Sequence, residues 1–404
     1  MTNSNLPLSG VRILTIEQYG AGPYATMHMA DLGAEVIKVE SPPREGFPPG
    51  DMSRQSGPYF LGEHDSQFFQ SFNRNKRSVS IEIRNPHGRE LFLKLVKTAD
   101  AVVNNLRGDQ PGRLAVTYDD LKSVNPRIVC GHLSGYGRTG SRANWPAYDY
   151  LAQAEAGYLD ITGEPGTPPA RMGLSMIDYM GGVTAAFAVT SALYGALRSG
   201  KGCDVDVSLY DVAMHQLTYP AIWYLNEGHI TDRRPRSGHP STVPCELMPT
   251  ADGWIFIMCI TPRFWTLLCE KVGAPALVSD PRFVGYAERR ANRQALVDIL
   301  DPIFKTRTTA KWMEIFASTV PAAPVLTLPQ ALDNPYFAET EGIVTVAHPD
   351  KPGGLRMIAS PVRVNGHRPG AVAAPKIGAD TQTILGELGI TASELAALRQ
   401  AGAI

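Results

Sequence analysis

The order of elements in the first forty residues constrains the fold more than any other feature of this chain. A β-branched apolar run at 11–17 leads into Gly20, Gly22 and Pro23, then an amphipathic stretch ending at Leu32 and Gly33, then a second apolar run at 35–40. Proline suits the first turn of a helix and glycine its end, so the segment reads as strand, helix, strand. Two parallel strands need such a crossover, because no tight turn can join them. The pattern then recurs: a strand at 78–83, Asn85 as N-cap with Pro86 behind it, a helix to Thr98, a strand at 101–103 and another at 127–133. Strands alternating with helices predict an α/β fold with a parallel sheet wrapped by helices.

Helices are expected next at 148–158 and 179–197, then a strand at 204–208 and a helix at 209–225. Residues 226–246 are rich in Arg, Pro, Gly, Ser and His without periodicity and read as a linker. A strand at 254–260 and helices at 263–272, 289–304 and 310–319 form a smaller second domain, and a final helix is expected at 392–401.

The formal net charge is −1, so no global field draws this chain to nucleic acid or an anionic membrane. Any anion must be held by locally placed Arg and Lys. The five cysteines are odd in number and show no C-x-x-C spacing, which fits free thiols in a reducing cytosol. The N-terminus has neither a basic n-region nor an apolar h-region, and the apolar stretch at 181–197 is rich in Gly, Ala, Thr and Ser. It is expected to be a buried helix of a cytoplasmic protein, not a membrane span.

Several constellations could carry chemistry. Gly20, Gly22 and Ala25 between strand and helix, with Glu40 ending the next strand, match the dinucleotide fingerprint in spacing. Many α/β proteins share that turn without binding a dinucleotide. Arg74, Lys76, Arg77, Arg84, Arg107 and Arg113 fall near strand ends, where Arg forks suit phosphates. The alternative for these cations is a solvated basic surface. Asp178 lies just before a long helix with Gly181 and Gly182 in its first turn, where the helix dipole stabilises a carboxylate anion or the residue simply caps the helix. The nine histidines show no H-E-x-x-H spacing, so no metal site is expected. Ser134 sits one place late for a nucleophile elbow.

Taken in order, residues 8–14 (LSGVRIL), 21–25 (AGPYA), 31–40 (DLGAEVIKVE), 73–78 (NRNKRS), 146–149 (PAYD), 200–202 (GKG), 249–254 (PTADGW), 280–283 (DPRF) and 320–324 (VPAAP) resemble the class III CoA transferases. This is the family of formyl-CoA, carnitine and related CoA transferases. The resemblance implies Asp178 as nucleophile, with Asp149 and Tyr148 supporting it. It places coenzyme A contacts on Arg84, Asn105, Leu106, Arg107 and Arg113. It also implies an interlaced homodimer. Residues 1–225 would then begin a Rossmann-like large domain, 226–325 would be the small α/β domain with its linker, and 326–404 would return to the large domain.

The chain departs from formyl-CoA transferase in three places. Gly20 replaces an active-site glutamine, Ser41 replaces a basic CoA contact, and residues 236–240 carry one glycine where that enzyme has a glycine-rich loop. Formyl-CoA and oxalate are therefore disfavoured. The same fold houses α-methylacyl-CoA racemases, whose histidine position falls on Tyr148; a phenol, with a reference pKa of about 10, is a poor base at neutral pH. The expected reaction moves CoA from an acyl-CoA, with succinyl-CoA as a plausible donor, to a free dicarboxylic or similar dianionic acid. It runs through aspartyl anhydride and aspartyl-CoA thioester intermediates, with no metal or redox cofactor and no nucleic-acid or membrane partner. A racemase, a Rossmann oxidoreductase and a non-catalytic CoA-binding module are the alternatives.

Overall fold

The computed structural model describes residues 5–404 apart from positions 45 and 47. Contacts divide it into two units: the described residues of 1–156, 173–216 and 336–404 form the first, and residues 157–172 and 217–335 the second.

The first unit is built on six parallel strands, β1 (Arg12–Ile16), β2 (Glu35–Glu40), β3 (Arg77–Ser80), β4 (Ala101–Asn104), β5 (Val129–Ser134) and β6 (Cys203–Ser208). Their spatial order is 3-2-1-4-5-6. That order makes the chain reverse direction between β1 and β4, which opens a crevice at the carboxyl ends of those strands. Ile13 pairs with Val36 on one side and Ala101 on the other.

Both faces of the sheet are covered, as a parallel sheet requires. Leu14, Ile37, Val79, Val102 and Cys130 pack with Leu91, Phe92 and Leu95 of the helix Pro86–Val96 and with Ile384, Leu385 and Leu395 from the chain's C-terminal end. Ile13, Val36, Ala101, Val103 and Val129 pack on the opposite face against α1 (Ala21–Asp31) and the long helix α3 (Met176–Ser199). A methyl at Gly182 would come within 2.8 Å of the Ala21 carbonyl oxygen, so this glycine sets the close approach of α1 and α3. Helix α2 (Asp149–Glu155) precedes α3 and α4 (Leu209–His215) follows β6.

Three helices expected as continuous are broken by local backbone geometry. The stretch 148–158 ends at Gly157, which is left-handed with φ +84°. The stretch 209–225 divides at Thr218, with φ +42°, into α4 and α5 (Thr218–Glu227). Asn292 separates α6 (Tyr286–Ala291) from α7 (Arg293–Phe304). α3 begins three residues earlier than its apolar period indicated, which puts Asp178 inside the first turn.

α3 also differs from the expected buried helix. Ile177, Gly181, Gly182, Ala185, Val189 and Ala196 are buried, whereas Phe187, Tyr194 and Leu197 are 73%, 62% and 74% exposed. The second unit has an antiparallel three-stranded sheet of Cys245–Pro249, Trp254–Met258 and Ala322–Pro324. Its core gathers Trp265, Phe283, Leu300, Phe304, Trp312 and Phe316.

Candidate active site

A cavity of about 300 Å³ lies at the β1/β4 switch point. Gln18, Tyr19 and Gly20 after β1, Asn105, Leu106 and Arg107 after β4, Gly135 after β5 and Leu209 after β6 all contribute to its wall, with Tyr148 and Asp178. The side chain of Asn105 donates to the Gln18 carbonyl at 2.7 Å and accepts from the Gln18 N–H at 2.8 Å, pinning one wall to the next.

Asp178 is the third residue of α3. Beneath it, the buried carboxylate of Asp149 accepts from the backbone N–H groups of Ile177 at 2.6 Å and Asp178 at 2.9 Å. Gln153, one turn along α2, donates to the other Asp149 oxygen at 2.5 Å. Asp149 thereby takes the anion position that a helix N-terminus offers. Asp178 is left as a second negative charge beside the first, and no cation pairs with it among the described residues. Burial, reinforced by Asp149, pushes the Asp178 carboxyl up to about 7. The sequence had implied a helix-stabilised anion; desolvation and a like charge outweigh the dipole here.

Gly20 closes the site from the other side. A methyl there would stand 2.7 Å from Asp178 Oδ2, so only a residue without Cβ leaves the carboxylate in this position. Gly181 and Gly182 follow one turn later on α3. They fit against Leu209 and Ala21, which makes them packing residues. Tyr179 packs against Tyr24 of α1 at 5.0 Å, fixing the start of α3.

The cations divide. Arg107 lines the cavity but is held by Asp109 at 2.5 Å, and exposed Arg113 reaches the same carboxylate at 3.3 Å. Leu106 and Asn105 line the cavity; Arg84 is exposed and does not. Arg74 and Lys76 are buried in ion pairs, and Arg77 is paired at the partly exposed edge of the sheet. Arg74 pairs with Asp31 at 2.6 Å, Lys76 with Glu17 at 2.8 Å and Arg77 with Glu35 at 2.5 Å.

Sequence reasoning missed a buried network behind the cavity. Lys38 donates to the Glu17 carbonyl and contacts Asp51, each at 2.9 Å. Asp51 accepts from the N–H of Tyr19 at 3.0 Å, which holds the β1 loop in place, with Tyr19 at φ +68°. Glu40 is gripped by Arg54 through two bonds of 2.8 and 2.7 Å and accepts from Ser78 at 2.6 Å. A carboxylate so occupied cannot bind a ribose, which removes the dinucleotide reading of Glu40. The one available signal was Lys38 and Glu40, two charged residues alternating with apolar ones at the inner end of the strand.

The family model for CoA-transferase family III matches residues 8–381. The acetyl-CoA:oxalate CoA-transferase of Acetobacter aceti is 33% identical, over 92% of this chain and 94% of that protein. The mouse succinyl-CoA:glutarate CoA-transferase is 32% identical, over 96% of this chain and 87% of that protein. A crystal structure of a CAIB/BAIF family protein from Brucella suis superposes with a TM-score of 0.80 at 31% identity, over 95% of this chain and all of that one. With its parallel sheet and near-complete alignment, this chain belongs to CoA-transferase family III and is a transferase that moves CoA to a carboxylic acid.

Proposed function

We propose that Asp178 is the nucleophile of a transfer from succinyl-CoA to a dicarboxylic acid. The observation that carries this reading is the uncompensated carboxylate of Asp178 in the switch-point cavity, raised to about 7. A carboxylate that water and cations do not stabilise is the more reactive toward a thioester carbonyl.

The steps balance without an added proton or redox cofactor. Asp178 attacks the donor thioester, forming an anhydride and releasing CoA thiolate. The thiolate attacks the aspartyl carbonyl, giving an aspartyl-CoA thioester and the free donor acid. The acceptor carboxylate attacks that thioester, and the released thiolate takes the new acyl group, restoring Asp178. Every step swaps one acyl bond for another, so water must be kept from the anhydride.

Coenzyme A would meet Asn105, Leu106 and Arg107 on the cavity wall, with Arg113 joined to them through Asp109. Succinyl-CoA and the dicarboxylate rest on the names of the relatives, which pair acetyl- or succinyl-CoA with oxalate or glutarate. A homodimer is supported by the exposed apolar side of α3 at Phe187, Tyr194 and Leu197. Mass photometry at nanomolar concentration should find two copies; a folded monomer would refute the dimer.

The test is a panel of mono- and dicarboxylic acids, oxalate included, incubated with succinyl-CoA and read by mass spectrometry. Formation of a dicarboxyl-CoA with one succinate released per turnover supports the reading. Deuterium uptake at the α-carbon of a 2-methylacyl-CoA in heavy water would support the racemase instead.

A further inference from the structure

The second unit contains its own cavity, of about 590 Å³, within the range of small-molecule sites. Trp223, Glu227, His229, Arg234, Arg290 and Arg293 line it.

Several arginines of this unit are occupied by hydrogen bonds, whereas exposed Arg263 and Arg307 are not among the described residues. Arg233 donates to the carbonyls of Asp160 at 2.6 Å and Thr167 at 2.8 Å, and Arg236 grips Asp301 through two bonds of 2.5 Å. Arg289, fully buried, donates to the Val243 and Phe283 carbonyls at 2.9 Å. Half-buried Arg234 and exposed Arg290 also lack such a partner, and both line the cavity. Neither side chain has a hydrogen bond or ion pair among the described residues, and the buried Nε of Arg234 has no acceptor. An anion in the cavity would give both guanidinium groups charge-assisted partners.

The third cation is fixed in place. Arg293 donates to the Thr242 carbonyl at 3.3 Å and stands 3.4 Å from Glu246. Arg293 is also the first residue of α7, a helix of 12 residues whose start no side chain caps. Asn292, which could cap it, instead donates its amide to the carbonyls of Arg282 at 3.2 Å and Glu288 at 2.9 Å. Three arginines thus line a cavity in which Glu227 is the carboxylate. The opposite character comes from Trp223, half-buried, with its ring edge-on to His229 at 5.6 Å.

We propose that this cavity binds a small organic acid, its carboxylate between Arg234 and Arg290 and its apolar body on Trp223. Two guanidinium forks on one oxyanion supply strong charge-assisted bonds, and the indole gives the planar surface that an inorganic ion would not use. Size supports the same choice, since the volume far exceeds what phosphate alone fills.

The test uses the full-length Asp178→Asn protein, so that no turnover at the nucleophile enters the signal. Phenylacetate, glutarate and inorganic phosphate are titrated by calorimetry and by tryptophan fluorescence. Saturable phenylacetate or glutarate binding is expected. It should weaken roughly tenfold or more in Arg234→Gln and Arg290→Gln, with partial recovery in Arg234→Lys. Trp223→Phe should remove the fluorescence change. Because neither arginine donates a bond, the variants should melt with the parent protein, which separates lost binding from lost folding. Binding of no organic acid, equal binding in the Gln variants, or binding of phosphate alone would each overturn the proposal while leaving Asp178 chemistry untouched.

Discussion

Glu40 and Asp51 on one hand, and Asp149 and Asp178 on the other, are acids withdrawn from water in the same unit, yet the protein treats them oppositely. Arg54 holds the Glu40 carboxyl, and Lys38 the Asp51 carboxyl, below the usual carboxylate range despite burial. Asp149 spends its charge on two backbone N–H groups, and Asp178 receives no cation, so burial drives Asp178 upward. Burial alone therefore does not decide a carboxyl's state; the partner does. The paired acids build a rigid wall, and the unpaired one is the group proposed as nucleophile.

The largest expected effect is on turnover. Asp178→Asn should reduce transfer by roughly 10³-fold or more, because an amide cannot form the anhydride. CoA binding by calorimetry should stay close to that of the parent. If turnover survives, the unpaired acid is not the reactive one and the contrast has no functional meaning.

Breaking a paired acid should instead affect folding. Arg54→Met leaves Glu40 buried without its cation and should cost about 3–5 kcal/mol in urea denaturation. A loss below about 1 kcal/mol would show the wall to be weakly coupled.

The unpaired acid should behave in the reverse sense. Its folded carboxyl, at about 7 against 3.8 when unfolded, keeps its proton across that window. The folded state therefore holds the extra proton there, and stability from this group falls as pH rises from about 4 to 7. Asp178→Asn should raise Tm by roughly 2–4 °C at pH 8 and not at pH 4. Asp149→Asn removes the neighbouring charge, so the rise of kcat/KM with pH should move to lower pH while the plateau changes less. The smallest effect belongs to Arg113→Ala. This side chain is exposed and shares Asp109 with Arg107, so CoA should bind a few-fold more weakly, with the difference shrinking in high salt.

Much of the first unit was legible because its signals are local. Apolar runs, Pro23, Asn85 and the intervening helical periods lie within a few residues of the elements they shape. Asp178 was singled out through a family resemblance and its place at a helix start. What stayed hidden depends on partners far apart in the chain. Lys38, Asp51 and Lys76 meet only when β1, β2 and the loop before β3 assemble, so Arg74 and Lys76 looked like surface charge. Asp149 caps a helix that begins 27 residues later, and no local pattern records that bond.

Asp178 carries the central claim, and covalent capture tests it most directly. Enzyme is mixed with succinyl-CoA without acceptor, quenched rapidly with hydroxylamine, digested and mapped by mass spectrometry. The account predicts a hydroxamate on Asp178, formed only with donor present, together with inactivation by borohydride under the same condition. A hydroxamate on Asp149 or Glu17, or none on any acid while transfer proceeds, would contradict it.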